Sequence, residues 1–227
     1  MNTLRRFIRP LAALLLTAAS LPALAIAPFK ADYRASYMGL QADGVMQLER
    51  QQGNRWRYSL QVRNQMADLR QSTVFDIHNG HLRPLSSEDS ANLLIKRRSI
   101  QADYDWAERQ AVWRGDLRAD RRGPVALREG DMDALLINLA IARDLAAGKP
   151  LSYRMVDEGR IKQMRYTIAG KETLQLDGRQ VEVTRVSRVD GNKEQIAWIS
   201  PEYPVPLRLL QRKDGRDELD LTVKSVH

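Results

Sequence analysis

The sequence predicts a mainly β protein: a curled antiparallel sheet, barrel-like or spiral, with one largely buried α-helix. Three observations predict it. Most of the chain alternates apolar and polar residues with the two-residue period of a half-buried strand. Asn79-Gly80, Asp177-Gly178 and Asp214-Gly215 stand between such runs, and these pairs accept the positive φ angles of a tight hairpin. Only one segment, Asp131 to Ala147, replaces the alternation with a helical pattern. A strongly twisted sheet of about ten or more strands rarely stays open, so this one is expected to curl around the helix or close against it.

The chain starts with Arg5, Arg6 and Arg9, continues through an apolar run from Leu11 to Leu21, and places Ala23 and Ala25 ahead of Ile26. That is the order of a secretory signal peptide. Cleavage after Ala25 fits best, with Ala27 as the alternative. Residues 1–25 are therefore expected to be a signal peptide and residues 26–227 a single β-rich domain in the periplasm. A retained anchor fits less well, since the apolar run falls short of the ~20 residues of a spanning helix, and no later stretch supplies a membrane span. The chain has no cysteine, which removes disulfides, thiol nucleophiles, cysteine metal sites and a lipid anchor on cysteine together.

In the first strand Phe29, Ala31, Tyr33, Ala35 and Tyr37 share one face, and Trp56, Tyr58, Leu60 and Val62 share a face of another. A turn at Asn79-Gly80 sets the register around it. His78 then faces His81, Ile77 faces Leu82, Asp76 faces Arg83 and Phe75 faces Pro84, giving an apolar face opposite a cross-strand ion pair. Further strands are expected around Ile100–Trp106, Gln110–Trp113, Leu151–Val156 and Ile161–Ile168, then Thr173–Leu176, Val181–Ser187, Gln195–Ile199, Leu207–Arg212 and Leu219–Val226. Asp190-Gly191 reads as a looser turn. In the helix, Asp131 is placed to cap the start, Asp133 suits the positive end of the dipole, and Gly148 with Pro150 closes the segment. Its polar strip is only Asn138, Arg143 and Asp144, so the helix should be buried.

The net charge is +8, and without the three arginines of the leader it is +5. Arginine supplies 28 of the 36 basic residues. In a periplasm such a surface meets anionic lipid heads, lipopolysaccharide phosphates or acidic partners rather than nucleic acid. Lys96-Arg97-Arg98 and the run from Arg114 to Arg122 have the form of solvated faces.

The order of short elements resembles the bacterial family called domain of unknown function 3108. The resemblance rests on Phe29-Lys30-Ala31-Asp32-Tyr33, Asn54-Arg55-Trp56-Arg57-Tyr58, Gly80-His81-Leu82-Arg83-Pro84-Leu85, Tyr104-Asp105-Trp106, the leucine-rich helix from Asp131, and Trp198-Ile199-Ser200-Pro201 through Pro206-Leu207-Arg208 to Asp214-Gly215. It implies exported, β-rich proteins of uncharacterised role in Gram-negative bacteria, and it brings no catalytic residues with it.

Chemistry is sparse. His78 and His81 flank one turn with Asp76 on the same face, a conceivable two-histidine, one-carboxylate metal site, yet Arg83 would neutralise Asp76 and repel a cation. Glu129, Asp131 and Asp133 lack the calcium-loop spacing. Glu88 and Asp89 are neighbours, so on a strand they point to opposite faces and cannot flank one glycosidic bond. Nucleophile-elbow, phosphate-loop and dinucleotide motifs are missing. No catalytic residue, metal or cofactor is assigned.

The expectation is thus a non-enzymatic cell-envelope factor that binds a lipid-like ligand or an envelope partner protein. Trp56, Tyr58, Trp106 and Trp198 are the candidate apolar lining, and Arg97, Arg98 and Arg122 the candidates for anionic head groups. The same aromatics would equally fill a solid core. The alternatives are a hydrolase of envelope glycans or lipids using Glu88, Asp89, His78 and His81, and a purely structural interaction module.

Overall fold

The computed structural model describes residues 26–227, so the signal peptide expected over residues 1–25 lies outside the described residues. The N-terminal half is a run of strands: β1 (Phe29–Tyr37), β2 (Leu40–Arg50), β3 (Arg55–Arg63), β4 (Ala67–His78), β5 (His81–Leu93), β6 (Lys96–Asp105), β7 (Gln110–Gly115) and the short β8 (Val125–Ala126). Helix α1 (Ala134–Ala146) and the hairpin of β9 (Ser152–Asp157) and β10 (Arg160–Arg165) interrupt it. The chain then completes β11 (Thr167–Leu176), β12 (Arg179–Asp190), β13 (Lys193–Ile199), β14 (Pro206–Lys213) and β15 (Arg216–Val226).

Thirteen of these strands form one antiparallel sheet, in which β1 to β8 are consecutive neighbours and so are β11 to β15. The two series join through β1 and β15, from Ala31 opposite Val226 to Tyr37 opposite Leu219. β8 and β11 are the free edges. The sheet is therefore not closed into a barrel, although it curls far enough for β11 to approach β15.

Alternation sets the inner face. Phe29, Ala31, Tyr33 and Ala35 of β1 and Trp56, Tyr58, Leu60 and Val62 of β3 are all buried, as their spacing requires. Helix α1 fills the concavity and packs against β3, β4, β5 and β9, with Leu136, Ile137, Ala140 and Ile141 fully buried. A second, smaller core of Ile100, Ala102, Tyr104, Ala111, Trp113, Leu127 and Val156 sits under β6 and β7.

Three local expectations change. The N-cap of α1 is Asp133, whose carboxylate accepts from the Leu136 N–H at 2.7 Å; Asp131 instead pairs with Arg154 and accepts from the Arg128 N–H. The strand expected at Ile161–Ile168 is two strands, because Tyr166 turns its N–H to the Leu151 carbonyl and its ring edge to Tyr153. The chain there passes from the two-stranded sheet to the main one. β2 is an additional strand whose inward positions include Gly44. A Cβ at that point would lie 3.1 Å from Tyr33 Cβ and 3.3 Å from Leu221 Cδ2, so β1 and β15 crowd this position and a larger residue would have to displace them by a few tenths of an ångström.

Candidate functional site

The β4–β5 hairpin forms with the expected register: Phe75 opposite Pro84, Asp76 opposite Arg83, Ile77 opposite Leu82 and His78 opposite His81. Asn79 and Gly80 take φ of 50° and 77° at its tip. The Arg83 guanidinium donates to both carboxylate oxygens of Asp76, at 2.8 and 2.6 Å, which holds it along the strand. Its other face stacks on Trp106, 5.8 Å from the ring centroid, and the Trp106 indole N–H donates to the Pro84 carbonyl at 2.6 Å.

Beside this fixed stack lies a cleft of about 450 Å³. His78, His81 and Trp106 line it from the hairpin side, with Arg109 and Arg128 across from them. Glu129 also lines the cleft but accepts from the Asn79 side-chain amide at 3.0 Å. Arg109 and Arg128 are exposed and form no ion pair among the described residues. The cleft thus presents two guanidinium groups, two imidazoles and the edge of an indole, a set suited to an anion attached to a flat or sugar-like body.

The other expected site residues lie apart. Tyr58 is in the core with its hydroxyl on Met46 Sδ at 2.7 Å, Trp56 is buried under Arg50, and buried Trp198 donates its indole N–H to Glu172 at 2.7 Å beneath the Arg208 guanidinium. None of these three lines the cleft. Arg98 is held between Glu158 at 2.5 Å and Asp89 at 3.7 Å, whereas Arg97 is exposed at the start of β6 and Arg122 is exposed beside β7, its carbonyl accepting from the Trp113 N–H. Glu88 and Asp89 lie on β5 seven and eight residues from His81, about 23 Å along the strand, so the four hydrolase candidates do not form one site. An apolar groove of about 280 Å³ at the C-terminal end of α1, lined by Phe29, Leu48, Leu139, Ala142, Tyr203 and Pro204, contains none of the expected aromatics.

Residues 32–222 match the family model described as protein of unknown function (DUF3108). The chain belongs to this family. Among curated proteins none matches it. The fold of this DUF3108 protein is similar to the crystal structure of a β-barrel-like protein of domain of unknown function DUF1849 from Brucella abortus, with a TM-score of 0.54 and 9% identity over 88% of this chain and 97% of that one. The MucA/MucB complex structure from Pseudomonas aeruginosa also aligns, at a TM-score of 0.40 and 12% identity, over 88% of this chain and 51% of that chain.

The DUF3108 fold also buries a polar cluster where α1 begins. The Asp133 carboxylate, 2% exposed, accepts from the Thr73 hydroxyl at 2.6 Å as well as from its cap N–H, while Asp157 accepts from the Ala134 N–H at 3.2 Å. Loss of water raises Asp133 to about 6, and loss of water together with the neighbouring Asp133 charge raises Asp157 to about 7. Thr73, Asp133, Asp157 and Trp113 surround a cavity of about 30 Å³. Sequence reading gave Asp133 only a helix-dipole role and did not single out Asp157, because nothing local reveals that β4 and β9 meet over the helix start.

Proposed function

We propose that this DUF3108 protein is a non-enzymatic periplasmic factor of the cell envelope that binds an anionic ligand, a phosphorylated or carboxylated sugar or head group, in the cleft beside Trp106. One observation carries the reading: Arg109 and Arg128 face the same 450 Å³ space as His78, His81 and Trp106, and no carboxylate among the described residues pairs with either guanidinium. The Arg83–Asp76 pair braces the floor, so the aromatic platform is rigid before any ligand arrives. The envelope location is supported by the form of the first 25 residues. No helix among the described residues is long and apolar enough to cross a membrane.

Isothermal titration with glucose 6-phosphate, and with glucose as the neutral control, tests the assignment. Binding should need the phosphate and weaken about tenfold or more in Arg109→Ala/Arg128→Ala, as expected for losing two charge-assisted contacts. Equal heats for the phosphorylated and neutral sugars, or unchanged binding in the double variant, would remove the reading.

A further inference from the structure

In a meander every second turn lies at the same end of the sheet, so the β1–β2, β3–β4 and β5–β6 turns share one end, opposite the end that carries the β4–β5 turn and its cleft. Their residues are unusual. Turn centres favour Gly, Asn and Asp, yet the β5–β6 turn is Leu94-Ile95, with side chains 71% and 99% exposed. The β1–β2 turn places Met38 at φ 50°, a left-handed conformation that a long side chain adopts at some cost, and leaves both Met38 and Leu40 exposed. Met66 is exposed at the β3–β4 turn. Five of the eight large exposed hydrophobics of the described chain therefore sit on three adjacent hairpin tips, about 10 Å apart for each pair of strands crossed.

The charges around these tips have one sign in excess. The β1–β2 and β3–β4 tips meet at an open depression lined by Leu40, Met66, Arg34, Arg63 and Lys224, where the Asn64 side-chain amide donates to the Gln41 carbonyl. Lys224 is paired with Asp43, but Arg34 and Arg63 have no ion-pair partner among the described residues. Lys96 and Arg97, directly after Ile95, have none either. On the same end the β12–β13 and β14–β15 turns carry both signs: Asp190 is paired with Lys162 and Arg188, and Asp214 stands between Lys213 and Arg216. What sets the N-terminal tips apart is the density of exposed apolar side chains, five over three adjacent turns.

We infer that these three tips dock the protein on an anionic bilayer surface, with Met38, Leu40, Met66, Leu94 and Ile95 entering the interface and Arg34, Arg63, Lys96 and Arg97 meeting lipid phosphates. Separate protruding side chains need no matching relief on the other side; a fluid headgroup layer accepts them one by one, and a basic surround draws them to negative lipid. The inference stands independently of the ligand cleft, which lies at the other end and is left open to solution by this orientation.

The test is flotation of residues 26–227, the part that carries all the described structure, with vesicles of roughly one part phosphatidylglycerol to two of phosphatidylcholine and with phosphatidylcholine alone. Binding is expected only to the anionic vesicles. Leu94→Ser/Ile95→Ser should lower the partition coefficient about tenfold or more, and Lys96→Glu/Arg97→Glu by about fivefold for each charge lost. Ile161→Ser, at another exposed apolar residue that belongs to none of the three tips, should change nothing. Unchanged urea midpoints confirm that all three variants fold. Equal partition into neutral vesicles, no partition at all, or the same loss with Ile161→Ser would overturn the inference. So would concentration-dependent dimerisation abolished by Leu94→Ser/Ile95→Ser, which would assign the tips to a second copy of the chain.

Discussion

Replacing Asp133 by asparagine should flatten the dependence of folding stability on pH. Asp133 is enclosed by α1, β4 and β9, and its carboxyl rises from 3.8 to about 6 chiefly because burial disfavours the charged form. The folded protein thus holds this proton more tightly than the unfolded chain. The stabilisation is fully present below about pH 3.8 and is lost as pH climbs through about 6; Asp157 acts in the same direction up to about 7. For Asp133 alone the loss is about 3 kcal/mol at roughly 1.4 kcal/mol per pH unit. Asparagine keeps the cap, since its carbonyl can accept from the Leu136 N–H, and its amide can donate to the Thr73 hydroxyl in place of the present bond. In urea titrations followed by tryptophan fluorescence, Asp133→Asn should match the parent within about 1 kcal/mol near pH 4 and exceed it by about 2–3 kcal/mol near pH 8. Profiles that run parallel across this range would refute the reasoning.

Gly159→Ala should cost more than about 2 kcal/mol, because φ is +68° and a Cβ would lie 2.0 Å from the Arg121 carbonyl oxygen. Gly178→Ala, at φ +75° with nothing within 4 Å, should cost only about 1 kcal/mol in the same urea assay. Leu136→Ala, at a side chain with no exposure in the first turn of α1, should lose about 2–5 kcal/mol; a loss below about 1 kcal/mol would show that the helix does not fill the sheet as described.

The parts of the fold that local chemistry determines were legible. Asn79-Gly80, Asp177-Gly178 and Asp214-Gly215 all form turns with two positive φ angles, and the face that Trp56, Tyr58, Leu60 and Val62 share is the buried one. Met38-Gly39 and Glu158-Gly159 adopt the same backbone without the usual first residue, so their turns carried no signal. Long-range proximity was also silent. Arg109 and Arg128 are isolated arginines in the sequence and meet at the cleft only because the Leu127 N–H bonds to the Arg109 carbonyl. Trp56 and Tyr58 point inward as their alternation indicates, but alternation does not say whether a helix or a hollow lies on that side. Here it is α1.

The pairing of β1 with β15 has a consequence for timing. The first and last strands made are neighbours in the middle of the sheet, so nothing can complete that middle until the final eleven residues exist. Contacts that join residues almost two hundred apart, such as Ala31 with Val226, make folding slow relative to local hairpin formation. A growing chain of this design is left with two separate fans of hairpins and an open seam. Until that seam closes, the core that Tyr33 and Leu221 share stays incomplete, which suits a protein proposed to cross a membrane before it folds.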